Sequence, residues 1–538
     1  MDHKKQEKRN TRLAAGLLGL VFLMLVFLNL FAGEHWIDSD MAAEMIFSKQ
    51  IAGEGGLIAT RDWYYSTEFR ILYTQLIMVP LFHIFESWHV IRTITNIVTY
   101  ILLLASYFYF MKPLCSKRSA VLYTSVILLL PFSETILTHV QMGNTYMPHM
   151  IILFFCFGMF LRLAKSRCNW LTWIGYAALS LICGMSGVRY VLALQVPLVL
   201  AALWMILKSG EFALFRKEVG LENLKKLFRA ESFRYMWYAL LGLFCAMAGY
   251  LVNVVVIAKR YQFQTYEATN FIQVFQGVLL ERIQNTVGNL LLLFGYIENK
   301  GFLSLRGVIS LIAFALLAGI LLLTRRCGKL LRECEPEVVP AWDHKVFVLK
   351  FFVTAFFLNT FVFIFTTSTM SSRYYITVFL FVLPLLCVYF ELEKLPLDRI
   401  LVTLFLCGTL GLASVKCVYS FLDKDKNAEE KQVAAFLQEK AYDFGYATYW
   451  NANIMTELTD GDVEVANVLQ VDDMSMFYWS SPKRYYAEGY HEGKTFLLLT
   501  VEEADKYEDA QALSRGEIVY QDENYVVYHY DTVEELLQ

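Results

Sequence analysis

Long apolar runs alternate with short polar connections over the first four-fifths of the chain. Each run extends roughly 18–22 residues, enough for a helix to cross a hydrocarbon core about 30 Å thick. A helix is the form required there, because it satisfies its backbone polar groups internally. The runs lie at 13–32, 89–111, 119–137, 147–164, 170–187, 190–207, 236–257, 303–324, 346–366, 374–390 and 399–420. They predict an α-helical polytopic membrane domain over residues 1–422, with about eleven transmembrane helices. A shorter apolar stretch at 71–85, broken by Pro80 and His83, reads as an interfacial or re-entrant helix within the loop 33–88. In the loop 258–302, Phe271, Val274, Phe275, Val278, Leu279, Ile283, Val287 and Leu290 recur at helical spacing. They predict an amphipathic helix on the membrane surface, placed to act as a lid.

The pattern changes near Asp423-Lys424-Asp425-Lys426, and residues 423–538 read as a small soluble α/β domain. An amphipathic helix is predicted over 427–441, with Val433, Phe436 and Leu437 on one side. Strands are predicted at Tyr446–Tyr449, Val463–Val468 and Thr495–Leu499, with a hairpin at Glu517–Tyr530. Further helices are predicted to start at Asn451 and at Thr500, where Thr500 and Glu503 have capping-box spacing. No phosphate-cradling glycine loop and no nucleophile elbow accompanies these elements. The tail therefore reads as a packing or recognition domain without chemistry.

Charge adds orientation to this picture. The N-terminal segment Lys4–Arg12 is basic, and every second connection thereafter carries Lys or Arg, as at Lys112–Arg118, Lys208–Arg234 and Arg325–Arg332. The positive-inside rule then places the N-terminus in the cytoplasm, and the loop 33–88 and the tail outside, in a multi-pass cell-membrane protein. The net charge of −3 says nothing about nucleic acid, but no block of basic residues is built for phosphate-backbone binding, so no nucleic-acid partner is expected. None of the ten cysteines lies in the loop 33–88 or after Phe421, and no CxxC pair occurs, so the exported parts have no disulfide framework or zinc site.

Candidate chemistry gathers in the first outside loop. Asp38 and Asp40 stand just beyond the first membrane helix. A carboxylate at such a boundary is costly unless it is paired or used. One of them is suited to act as general base, or the pair to hold a divalent cation against a phosphate. Asp38 is equally suited to cap a helix beginning at Ser39 or Asp40. Glu68 and Arg70 follow Trp63-Tyr64-Tyr65, whose rings fit sugar stacking as well as an interfacial aromatic belt.

This arrangement resembles the GT-C superfamily of polytopic glycosyltransferases, close in layout to protein mannosyltransferases and aminoarabinose transferases. The resemblance covers most of residues 1–420 and rests on four features. They are the acidic motif Asp38-Ser39-Asp40, Arg92 opening the second helix, the turn His139–Tyr146, and the pair Arg373-Tyr374. The chain departs from the commonest mannosyltransferase pattern, with Asp-Ser-Asp in place of Asp-Glu and Ser66-Thr67-Glu68 where consecutive prolines occur. The resemblance implies an inverting transferase that takes a sugar from a polyprenyl-phosphate carrier to a glycan, lipid or protein of the cell envelope. It implies Asp38 or Asp40 as base, with those two as ligands if a divalent cation is used. Arg373, Arg189 and Tyr374 would bind the donor phosphate, a task suited to a guanidinium fork. His139, Asn144, Tyr146, Glu68 and Arg70 would bind substrate. Two rival readings remain: a non-catalytic membrane assembly or binding protein that uses the tail, and a transporter or flippase. The latter calls for mid-span ionisable residues, of which the sequence shows almost none.

Overall fold

A computed structural model describes the chain apart from residues 1, 144, 166–168, 265–268, 275–276, 300, 302, 335–338 and 393–395. Asn144 and Phe275 from the sequence reading thus lie outside the described residues. Helices occupy each predicted apolar run. Among the described residues, seven helices are long and apolar enough to cross a membrane, or up to nine if each of two bent pairs is one span. The molecule is a multi-pass membrane protein, but the expected eleven spans are not established. Hydropathy is blind to bends. Arg118–Leu129 meets Glu134–Met142 at 91°, and Val191–Leu207 meets Gly210–Lys217 at 61°. Pro131 stands in the first break, where its locked φ and missing N–H stop a helix. Trp170–Met185 has only 16 residues.

That short helix packs against Glu231–Val252 with the two backbones in contact. A Cβ on Gly184 would collide with the Ala246 carbonyl, and one on Gly249 with the Leu181 carbonyl. Small residues serve helix pairs in lipid this way, because close van der Waals contact replaces the absent hydrophobic drive.

The segment 71–85 forms one eight-residue helix, Gln75–Phe82, with Pro80 inside it. The expected surface helix in 258–302 is shorter than its apolar pattern. It runs Val278–Leu293, because Gly277 takes a left-handed φ of 80° just before it. Phe271 instead forms an isolated bridge with Thr366.

The tail is an α/β domain around a six-stranded mixed sheet. The sheet order is Ser475–Met476, Glu464–Gln470, Phe444–Thr448, Thr495–Thr500, Tyr525–Tyr530 and Glu517–Gln521. The first helix covers Ala428–Glu439, and the Thr500–Glu503 capping box is formed in both directions. Element boundaries shift by one or two residues, and at one of them the element changes: Tyr449 opens the helix Tyr449–Leu458 and does not end the preceding strand.

The tail is seated firmly on the membrane domain. Trp63–Tyr65 pairs antiparallel with Ser481–Pro482 of the tail and parallel with Gln262–Phe263, so three distant segments share one small sheet. Asn427 donates to the carbonyls of Glu34 and Ile37 at 2.9 and 3.0 Å. The Trp88 amide donates to Asp460 Oδ1 at 2.8 Å. At the centre, Arg92 donates from Nε and Nη2 to the two carboxylate oxygens of Glu457 at 2.7 and 2.6 Å. Both side chains of this fork are only 3% exposed.

Candidate active site

A cavity of about 550 Å³ opens where the first loop, the membrane helix ends and the tail meet. Its floor includes Asp40 and Glu44 from the helix Ser39–Gly53, Glu68 and Arg70 from the following loop, and Tyr146, Arg189, Arg373 and Tyr374 from the helix ends. Its opposite wall comes from the tail and includes Tyr449, Trp450, Phe477, Trp479 and Lys506.

The helix Ser39–Gly53 places the two carboxylates of the acidic motif differently. Asp38 is its N-cap, in extended conformation, and accepts from the Met41 amide at 2.9 Å. Burial, and then the neighbouring Asp40 charge, push its carboxyl up to about 7. Asp38 does not line the cavity. Asp40, two residues on, does. Its Oδ1 accepts from the Tyr449 hydroxyl at 2.7 Å and its Oδ2 from Arg373 Nη1 at 3.0 Å. Burial raises the Asp40 carboxyl, but the Tyr449 hydrogen bond and the Arg373 charge outweigh it, leaving the group below its ordinary value.

The other charges are also paired. Arg189 donates from Nε to Glu68 Oε1 and from Nη1 to the Tyr146 hydroxyl, the latter at 3.4 Å. Burial acts to raise Glu68, yet Arg189, His149 and Arg70 hold it down at about 2. Arg70 donates to Glu44 Oε1 at 2.6 Å and lies over the Tyr73 ring at 4.6 Å. Glu44 also accepts from Tyr73 and Thr74, at 2.9 and 3.2 Å. Its carboxyl is raised by burial against the opposing pull of Arg70. Three guanidinium–carboxylate pairs thus ring one cavity, and each arginine holds its carboxylate partner in place.

The structure therefore brings together Asp40, Glu68, Arg70, Tyr146, Arg189, Arg373 and Tyr374 of the sequence candidates. His139 stands behind this set. Its ring meets Tyr146 edge-on with centroids 6.2 Å apart, and its carbonyl accepts from the Tyr146 amide at 3.0 Å. Tyr374 stacks on Phe363, with planes 7° apart. Glu44, His149 and the whole tail wall were not singled out in the sequence. For Glu44 a signal existed: it lies one helical turn from Asp40, on the face of a helix that Asp38 caps. The tail, expected to be a packing or recognition domain, supplies one wall of this cavity.

The two carboxylates are engaged with protein groups as they lie. Asp38 accepts the capping hydrogen bond through Oδ1, and the two oxygens of Asp40 accept from Tyr449 and Arg373. Among the described residues, no group of three or more His, Cys, Asp or Glu is placed to hold a metal ion.

The helical membrane bundle beneath a soluble α/β cap is a fold that the chain shares with solved membrane proteins. It is similar to the aminoarabinose transferase ArnT from Cupriavidus metallidurans bound to undecaprenyl phosphate, with 11% identity and a TM-score of 0.51, over 96% of this chain and 97% of that one. The same enzyme in the apo state gives 10% identity and a TM-score of 0.51, over 96% and 98%. The oligosaccharyltransferase of Archaeoglobus fulgidus in the apo form gives 13% identity and a TM-score of 0.47, over 93% and 71%. No protein-family model matches the chain, and no curated protein does.

Proposed function

We propose that the protein is a glycosyltransferase that moves a sugar from a polyprenyl-phosphate carrier to a cell-envelope acceptor on the extracytoplasmic side. The observation that carries this reading is the contact between Asp40 and Arg373 at 3.0 Å in a cavity at the end of the membrane helices. It sets a carboxylate beside a guanidinium at the place where a lipid-borne phosphate would arrive. The sidedness rests on the alternation of basic loops. The ArnT structure bound to undecaprenyl phosphate supports the class of carrier.

A second cavity supports it too. About 840 Å³ in volume, it runs between membrane helices and is lined by apolar side chains such as Leu128, Leu316 and Phe379. Met150 and Ile376 bring it within a turn of Tyr146 and Arg373 in the chain. An isoprenoid tail is matched by such walls, while its phosphate is matched by Arg373 and Arg189. The surface helix Val278–Leu293 borders this apolar cavity through Leu293, and no residue of that helix lines the acidic one.

The chemistry then follows from the pairs. Donor phosphate competes with Asp40 for Arg373, and the released carboxylate recovers basicity. The acceptor oxygen forms a bond to the anomeric carbon as the carbon–oxygen bond to phosphate breaks. The bonding pair leaves on phosphate, held by arginine, and the acceptor proton passes to Asp40.

The test is restoration of an envelope sugar in a deletion strain, read by mass spectrometry of envelope glycans. Wild type restores a sugar that the deletion strain lacks. Arg373→Ala restores about 10–100-fold less, the worth of a charge-assisted hydrogen bond to phosphate. A deletion strain with unaltered envelope glycans would sink the reading.

A further inference from the structure

We propose that Tyr449, delivered by the C-terminal domain, is a positioning residue that orients the Asp40 carboxylate, so that this domain is an integral wall of the active site. The inference rests on the transferase reading above and adds to it a component that the membrane domain does not contain.

The geometry is specific. The Tyr449 hydroxyl donates to Asp40 Oδ1 at 2.7 Å across 409 residues of sequence. Arg373 holds the other oxygen, so together they fix the plane of the carboxylate. A donor phosphate draws Arg373 away; Tyr449 is then the group that keeps Asp40 aimed. A phenol is suited to this because it is a neutral donor. It steadies the carboxylate and, being uncharged, is less strongly drawn away by an arriving phosphate than a guanidinium.

The fold spends several contacts on placing this one hydroxyl. Tyr449 is the first residue of its helix. Its carbonyl accepts from Ser39 Oγ, next to Asp40 in sequence. Asn453, one turn along, donates to the same Ser39 Oγ at 3.0 Å. Glu457, one turn further, is locked to Arg92. Three successive turns of one tail helix are therefore pinned, two to Ser39 beside the acid and the third to the second membrane helix. The Tyr449 ring is held separately, edge-on to Trp450 and Phe477 at 5.3 and 5.7 Å. These ring contacts survive removal of the hydroxyl.

The experiment uses the full-length protein in membranes of the producing strain, which hold its own donor and acceptor lipids. Transfer is followed by mass spectrometry across a pH series. Tyr449→Phe is expected to lower kcat by ~10-fold, to leave the donor KM unchanged, and to move the acid limb of the rate profile to higher pH. 3-Fluorotyrosine at position 449, whose more acidic hydroxyl donates more strongly, is expected to move that limb to lower pH. A structural role alone does not predict opposite shifts from two isosteric rings. If both proteins keep the wild-type rate and profile, the inference is overturned while the transferase reading stands. If Asp40→Asn in the same membranes transfers normally, the transferase reading fails first. If Tyr449→Phe does not fold, the fluorotyrosine protein alone decides by the direction of its shift.

Discussion

Asp40→Asn is expected to abolish sugar transfer while leaving the protein inserted and folded. A positioned general base contributes about 10²–10⁴-fold, and an amide in its place keeps the shape but cannot take the proton. The neighbouring Asp38 supplies the contrast. Asn is as good an N-cap as Asp, so Asp38→Asn keeps the bond to the Met41 amide and should transfer within a few-fold of wild type. Measuring both in one strain separates a catalytic carboxylate from a capping one two residues away. The pH dependence has a definite sign. Asp40 must be ionised, and its carboxyl lies below its ordinary 3.8. The acid-side loss of kcat/KM is therefore expected at lower pH than an ordinary carboxylate would give. Equal loss in the two variants would return the acidic motif to a purely structural part.

The second large effect concerns the seat of the tail. Arg92→Leu leaves Glu457 buried without its partner, and Glu457→Leu does the same to Arg92. Breaking one side of a buried pair costs about 3–5 kcal/mol. The expected result is a lower melting temperature in detergent and easy protease release of the tail from membranes. Transfer falls with it, since Tyr449 loses its station. The double variant Arg92→Met with Glu457→Met is expected to recover most of the stability, because two matched apolar side chains leave no stranded charge. Single variants that melt as wild type would show that the other contacts hold the tail alone.

Much of this was legible in the sequence. Runs with lipid-crossing length located the helices, because hydrocarbon permits little else. In the tail, period-two strands and the Thr500–Glu503 capping box found their elements, since both are set by near neighbours. Asp40, Arg189 and Arg373 stood out because charges at membrane boundaries need a reason. Other parts are written only in three dimensions. Pro131 bends a run that hydropathy treats as continuous. Tyr449 reads as the end of a strand, and nothing near it signals a partner 409 residues away. The choice between Asp38 and Asp40 was also closed to sequence, because both satisfy the same local rules and only packing decides which one faces the cavity.

The Arg92–Glu457 fork also sets a clock. Its partners lie 365 residues apart. At about 5–20 residues per second, a ribosome needs roughly 20–70 s to travel between them. Throughout that interval the second membrane helix carries a guanidinium with no carboxylate to meet it, and the acidic loop lacks its hydroxyl. A nascent chain is therefore marked by a stranded charge, and its cavity lacks one wall, until the tail has docked. On the function proposed above, the site is complete only once the tail has docked.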